Sequence, residues 1–397
     1  MKNKLIVHIC FLGPLVLTVF NLQVFITHLV STMIAQVMAY VNLALLALGV
    51  ALIIKDLGPL SKTARLWIIF YIIYFVFAIM ASAIHYNPAT VLVAIIPFIY
   101  ILAFYAYLSI AKYRKVFSIV LTIAFVCSGF LSIYLFNINF ALDFGGIYEY
   151  KMDRSEGVYA DANNTALAAI ISFILVFKIY NPKTKIFKIF KILVLAIMVY
   201  GLLITFSNTG FMVFIICLVI INYKFFTGLR LIFGLALLPV LYLILLNLNT
   251  LTADLNLVGQ QRDKINNIVN IVTFNTDEID DSGRNELVMN LINNYVYKNP
   301  IFGNGVDFAN SQRAHNTIIG VWADAGIIAL LFFLFMLAKY FLETITSSPN
   351  IRYFVLPMLL TLCIFMLSLQ SVINQPYFMA LFVYIGYLVD DKNREMI

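Results

Sequence analysis

Charge is scarce in this chain. Only 11% of its 397 residues are charged and 63% are hydrophobic, whereas soluble domains carry about 25% charged residues. That excludes an ordinary soluble domain and points to a polytopic membrane protein. Cysteine is equally sparse. Cys10, Cys127, Cys217 and Cys363 stand far apart inside apolar segments; they have neither metal-ligand spacing nor the pattern of a disulfide framework, and read as small buried hydrophobes. No small-residue cleavage site follows "MKNKLIVHICFLGPLVLTVF", so this run reads as a retained first helix, not a signal peptide. Nucleotide and hydrolase signatures are missing too: there is no Walker motif, no HExxH, no Gly-x-Ser-x-Gly and no outer DxD-like pair. The run "GNG" is too short for a dinucleotide fingerprint and follows no strand. No internal repeat or low-complexity tract interrupts the chain.

Long apolar runs are what the chain has in abundance. They predict an all-α fold of about twelve transmembrane helices, at 5–22, 33–54, 66–84, 89–110, 116–136, 165–180, 191–206, 210–223, 231–249, 317–341, 354–373 and 375–390. The whole of 1–397 reads as one polytopic domain. Placing the N-terminus in the cytoplasm gathers 19 of the 26 Lys and Arg residues on the inner side with 5 acids, as the positive-inside rule requires. Both termini are then cytoplasmic. The basic excess is sorted by membrane side, so no nucleic-acid partner is implied.

The outer side consists of two loops, 137–164 and 250–316, expected to form the functional face. The first holds Lys151 and Arg154 against five acids, and the second holds five cations against eight acids, so each carries a formal −3. An anion bound there must be held by particular cations. In the larger loop, "RNELVMNLINNYVYKN" places Leu287, Val288, Leu291, Ile292, Tyr295 and Val296 on one helical stripe, with capping chemistry before it in "DDSG". Together with "QQRDKINNIVNIVTF" it predicts two amphipathic helices, lying on the outer membrane surface or folded back over the bundle.

Several residues of these loops can carry chemistry. His315 and Asn316 stand at the outer end of the 317–341 helix, where free N–H groups and the dipole favour an anion. Asn316 can equally be a helix cap and His315 an interfacial side chain, although histidine is the side chain best suited to accept a proton near neutrality. Arg154, Arg284 and Arg313 offer planar guanidinium forks that suit phosphate, or they are loop charges paired with nearby acids. Asp324, about 13 Å deeper at helical rise, needs a partner or a water-filled cavity; a structural, bundle-facing role is the expectation.

In order, these residues resemble the O-antigen polymerase and ligase superfamily of membrane glycan-assembly enzymes. The resemblance rests on Arg284 opening a helix, the Pro300, Gly303, Gly305 turn, the His315–Asn316 pair and Asp324 with Gly326. Upstream, "RSEGVYADANNTALAAI" supplies Arg154, Gly157, Asn163 and Asn164. Asn208 in "LITFSNTGFMVF" stands where the family often has arginine, which leaves more to the other arginines or to Lys151.

The resemblance implies glycosyl transfer between undecaprenyl-diphosphate-linked oligosaccharides at the outer face of a bacterial cytoplasmic membrane. It implies His315 and Arg284 as catalytic residues and Arg154, Asn316 and Asn164 as binding residues, to which the guanidinium of Arg313 beside His315 is added on its own chemistry. It implies no metal and no cofactor, and a chain-length regulator as a further membrane partner. Polymerase is the first reading, because a ligase meets a heavily phosphorylated acceptor and should show a basic outer face. Ligase is the alternative, and a flippase or transporter the third.

Overall fold

The computed structural model describes residues 2–391 apart from 86–90, 143–144, 150–151, 227, 256, 276–282 and 371. Lys151, the capping residues at 280–282, the start of the span expected at 89–110 and the C-terminal Lys392 and Arg394 lie outside the described residues.

Eighteen helices are described: α1 (Lys2–Val19), α2 (Leu22–Leu29), α3 (Thr32–Ile53), α4 (Lys62–His85), α5 (Val91–Ala94), α6 (Ile96–Ser109), α7 (Ala111–Asn137), α8 (Ala162–Ile179), α9 (Lys185–Leu203), α10 (Asn208–Ile221), α11 (Leu229–Leu246), α12 (Leu248–Leu251), α13 (Gly259–Val272), α14 (Arg284–Leu291), α15 (Phe308–Ser311), α16 (Thr317–Thr346), α17 (Pro349–Phe365) and α18 (Pro376–Asp390). Among the described residues, six of them, α3, α4, α7, α8, α9 and α16, are long and apolar enough to cross a membrane unaided. The helices α6, α10, α17 and α18 are apolar but shorter. The pair α1 and α2 forms a further apolar unit bent by 59°, with Asn21 in the left-handed region at the bend. The chain is thus a mostly helical, multi-pass membrane protein.

The packing follows from where polarity is absent. Tyr377 to Val389 of α18 are buried without interruption, as expected of a helix apolar on every face. It lies against α6 and α4, while α4 lies along α16 and α10 along α17. From Ala162 to Val176, α8 is likewise buried between α7, α9 and α17.

Four local features depart from the sequence expectation. The first helix does not run straight to residue 22 but breaks at residues 20–21 into α1 and α2. Residues 140–141 and 146–147 form a short antiparallel hairpin in a chain expected to be helical throughout. The second of the paired C-terminal spans begins after a non-helical stretch that includes 366–370 and 372–375, because α17 ends at Phe365, eight residues before its expected end. That end has a physical reason. The unpaired groups at the start of α16 need acceptors, and the Thr317 N–H and Oγ1 find them on Met366 O (2.7 Å) and Leu369 O (2.5 Å), carbonyls that a continuing helix would have consumed.

The fourth departure is in α16, which is broken at Gly326 (φ 77°, ψ −179°). The break frees the carbonyls of Ala323 and Asp324. Asn304 N–H donates to the first (2.8 Å) and Gly305 N–H to the second (3.1 Å), while Ile327 N–H donates to Pro300 O (2.9 Å). The Pro300–Gly305 turn therefore docks into the break. Its approach leaves no room for side chains: a Cβ on Gly326 would lie 1.9 Å from Ile301 O, and one on Gly303 would lie 2.4 Å from Asp324 O.

Candidate functional site

Four helices, α8, α10, α16 and α18, begin at the end of the bundle where the segments 152–161, 257–275 and 283–316 gather. Helix starts carry unpaired N–H groups and the positive end of the dipole, so the backbone alone favours an anion here. Each start is polar. Asp161 caps α8 by accepting from Asn164 N–H (2.7 Å), and Ser207 caps α10 by accepting from Gly210 N–H (3.1 Å). The Ser207 hydroxyl also donates to Asn163 Oδ1 (2.7 Å), tying the two starts together.

Arg154 is held by the far end of α9. Its Nε donates to Thr205 O (2.9 Å), and Ser155 N–H donates to Ile204 O (2.9 Å), so the cation sits where a helix C-terminus stabilises it. The loop is braced from the other side by Gln261 of α13, whose Nε2 donates to Asp153 O (2.6 Å). The rest of the guanidinium makes no hydrogen bond among the described residues. Burial pulls Arg154 below its ordinary pKa and the Arg284 charge pulls the same way, while Asp161 and Glu156 oppose them.

Arg284 opens α14 behind Gly283, a left-handed helix cap. The apolar stripe expected to continue to Val296 does so through a π turn at 292–296. With five residues to its hydrogen-bonded ring, that turn puts Leu291 and Val296 into one small core with Ala309, Ala314 and Ala323. This segment is folded back over the start of α16, the second of the two dispositions expected from its stripe.

His315 is half-buried and has a left-handed backbone (φ 47°), as has Arg313 (φ 51°). Its N–H donates to Gln370 Oε1 (3.3 Å) in the stretch between α17 and α18. Burial lowers the His315 pKa first, Arg284 and then Arg313 lower it further, and Asp161 opposes them. Arg284 thus acts on both Arg154 and His315. The structure brings Arg154, Arg284, Arg313 and His315 into one electrostatic neighbourhood that reaches Asp161.

The remaining expected site residues divide. Asn316 is the α16 cap: its Oδ1 accepts from Ile319 N–H (3.0 Å) and its Nδ2 reaches Leu367 O (3.4 Å), so its amide is occupied within the protein. Among the described residues Asn164 Oδ1 is buried without a partner, as are Asn208 Oδ1 and Gln370 Nε2 at the same end. Such groups are rare in folded proteins and call for water or a ligand. Pro300, Gly303 and Gly305 form the turn docked in α16. Asp324 is fully engaged below it, accepting from Tyr74 OH (2.8 Å) and Ala309 N–H (2.7 Å), which fits the structural role expected of it.

Asp161 and Gln370 escaped the reading of the sequence. Both had a signal. Asp161 stands three residues before Asn164 at a helix start, the usual place of an N-cap, and Gln370 is a lone amide inside an expected span, where a polar group normally has a function.

Residues 193–334, just over a third of the chain, match the family model described as O-antigen ligase. The matched stretch includes Arg284, the Pro300–Gly305 turn, Arg313, His315 and Asp324, and excludes Arg154 and Asn164. No curated protein matches the chain.

Proposed function

We propose that this chain is a glycosyltransferase that joins undecaprenyl-diphosphate-linked oligosaccharide repeat units, an O-antigen polymerase, at the outer face of the cytoplasmic membrane. In this reading the bundle crosses the membrane twelve times with both termini inside. The observation that carries the proposal is the gathering of Arg154, Arg284, Arg313 and His315, with Asp161 and Glu156 as the acids that act on them. Among the described residues none of the three arginines forms an ion pair with a carboxylate; the two pairs present, Arg114–Asp391 and Lys339–Glu343, lie elsewhere. Like charges held together repel, and a diphosphate relieves that repulsion. Binding energy of this kind is available to the leaving group of a sugar diphosphate.

The reaction then runs as follows. The acceptor hydroxyl attacks the anomeric carbon of the donor, forming a new C–O bond. The bond from that carbon to the diphosphate oxygen breaks, and the electron pair leaves with the diphosphate. His315, in its neutral form, takes the hydroxyl proton. Arg284, with Arg154 and Arg313, holds the charge that develops on the diphosphate.

The pH dependence follows from the surroundings of His315. Burial and two arginines disfavour the imidazolium, so the neutral base persists into more acidic solution than for an ordinary histidine. The acid limb of the rate profile is expected below the usual histidine range, and Arg313→Gln should move it upward. A limb at or above that range, or one that Arg313→Gln leaves in place, contradicts His315 as the base.

The matched family description favours a second reading, ligase. The formal −3 of each outer loop favours the polymerase, whose acceptor carries less phosphate than a lipopolysaccharide core. A gel of surface glycan and of the lipid-linked pool from a deletion strain separates them. Surface lipid with a single repeat and no ladder is the polymerase result. Bare core with long polymer left on the carrier is the ligase result, and an unchanged ladder contradicts both for that glycan.

A further inference from the structure

A cavity lies at the end of the bundle opposite the arginine cluster. From Thr317 at the cluster to Lys339 at the cavity, α16 advances 22 residues, about 33 Å at 1.5 Å per residue. The cavity has a volume of about 850 Å³, within the range of small-molecule sites. Its walls are the loop before α4, the turn between α6 and α7, the last turns of α16 and the end of α18.

The floor is built and rigid. Gly58 N–H donates to Ser109 Oγ (3.1 Å). Asp390 caps α4, accepting from Ser61 Oγ (2.7 Å), Thr63 N–H (3.0 Å) and Thr63 Oγ1 (2.6 Å). Arg114 pairs with Asp391 (2.8 Å) over the Tyr387 ring, and Lys339 pairs with Glu343 (2.6 Å). These contacts engage Asp390 and two cations with their carboxylates. The side chains of Lys62 and Arg65, one helical turn apart on α4, make no hydrogen bond or ion pair among the described residues; Asp56 and Asp390 are the lining carboxylates not paired with a cation. The rim is apolar: Leu60 is 51% and Phe335 57% exposed.

We infer that this cavity binds a phosphate group carried on a membrane lipid, an acidic glycerophospholipid, with Lys62 and Arg65 on the phosphate and the acyl chains leaving past Leu60 and Phe335. Two free cations beside an apolar rim at a membrane surface match such a headgroup, and a soluble anion has no use for the rim. The inference rests on the membrane fold and is independent of glycosyl transfer.

The test is calorimetric titration of the purified full chain in detergent with dioctanoyl phosphatidylglycerol, with inorganic phosphate and with dioctanoylglycerol. Saturable binding of the phospholipid alone is expected. Lys62→Ala or Arg65→Ala should weaken it roughly fivefold each, and the double variant about twenty-five-fold. Asp56→Asn should tighten it. All three side chains are exposed, so the variants fold, and the glycan ladder made by the double variant in cells should be unchanged. Equal binding of inorganic phosphate, lost in the same variants, would keep the phosphate site and overturn the lipid as its source. No binding, or binding that the double variant retains, overturns the proposal.

Discussion

Arg284→Ala is expected to abolish glycan extension, with a loss of at least about 10²–10³ in rate, the usual effect of removing one donor that stabilises charge in the transition state. Arg284 is the cation whose charge reaches both Arg154 and His315. It has no carboxylate partner among the described residues, so its removal leaves no orphaned ion within the protein. The fold should therefore survive. His315→Ala should cost about 10²–10⁴, the range for a general base. Arg284→Lys keeps the charge but loses the planar fork, and should recover only part of the rate. The measurement is the glycan ladder together with the amount of membrane-inserted protein. Near-normal ladder from Arg284→Ala or His315→Ala removes that residue from the active site.

Gly326→Ala should fail for a different reason, in folding. At φ 77° and ψ −179° the backbone is in a region reserved in practice for glycine, and a side chain there costs about 1–3 kcal/mol before any contact is counted. The added Cβ would also lie 1.9 Å from Ile301 O and 2.4 Å from Ile301 C. These are backbone atoms that cannot swing aside, so the Pro300–Gly305 turn must leave the break in α16. Its hydrogen bonds to Ala323 O and Asp324 O go with it, and the contacts that hold Asp324 and the small core under α14 are disturbed. Little folded protein is expected, with a large fall in the unfolding temperature of whatever is recovered. Gly320→Ala is the control in the same helix. Its Cβ would meet Ala309 Cβ at an ordinary 3.5 Å, and alanine is the better helix former, so stability should be unchanged or raised. Equal behaviour of the two variants would show that the break does not need its glycine.

The contrast between these two variants shows what a linear sequence carries. Apolar runs and helix-start residues are local, so a mostly helical membrane chain and the helix starts at Arg284 and Thr317 were legible along the sequence. The function of the Gly326 break was not, because Asp-x-Gly reads as ordinary helix until the Pro300–Gly305 turn is placed against it. The end of α17 was misplaced for a related reason. Residues 366–373 are apolar enough for a span, and only the demand of Thr317 for acceptors takes their carbonyls out of a helix. Asp161 and Gln370 were hidden in the same way, since their relation to His315 exists only across the bundle. The cavity at Lys62 and Arg65 is the extreme case. Its two cations read as the basic edge of an inner loop, and four separate segments must meet before they face a common space.

The most direct measurement is turnover by the purified protein in detergent, supplied with undecaprenyl-diphosphate-linked repeat units and excess chelator. Donor consumption, release of undecaprenyl diphosphate and growth of the glycan are followed together, with Arg284→Ala beside the native chain. The account predicts one diphosphate lipid released for each repeat joined, continued turnover in the chelator, and neither product from Arg284→Ala. Strict dependence on a divalent cation, or release that Arg284→Ala leaves intact, would contradict it.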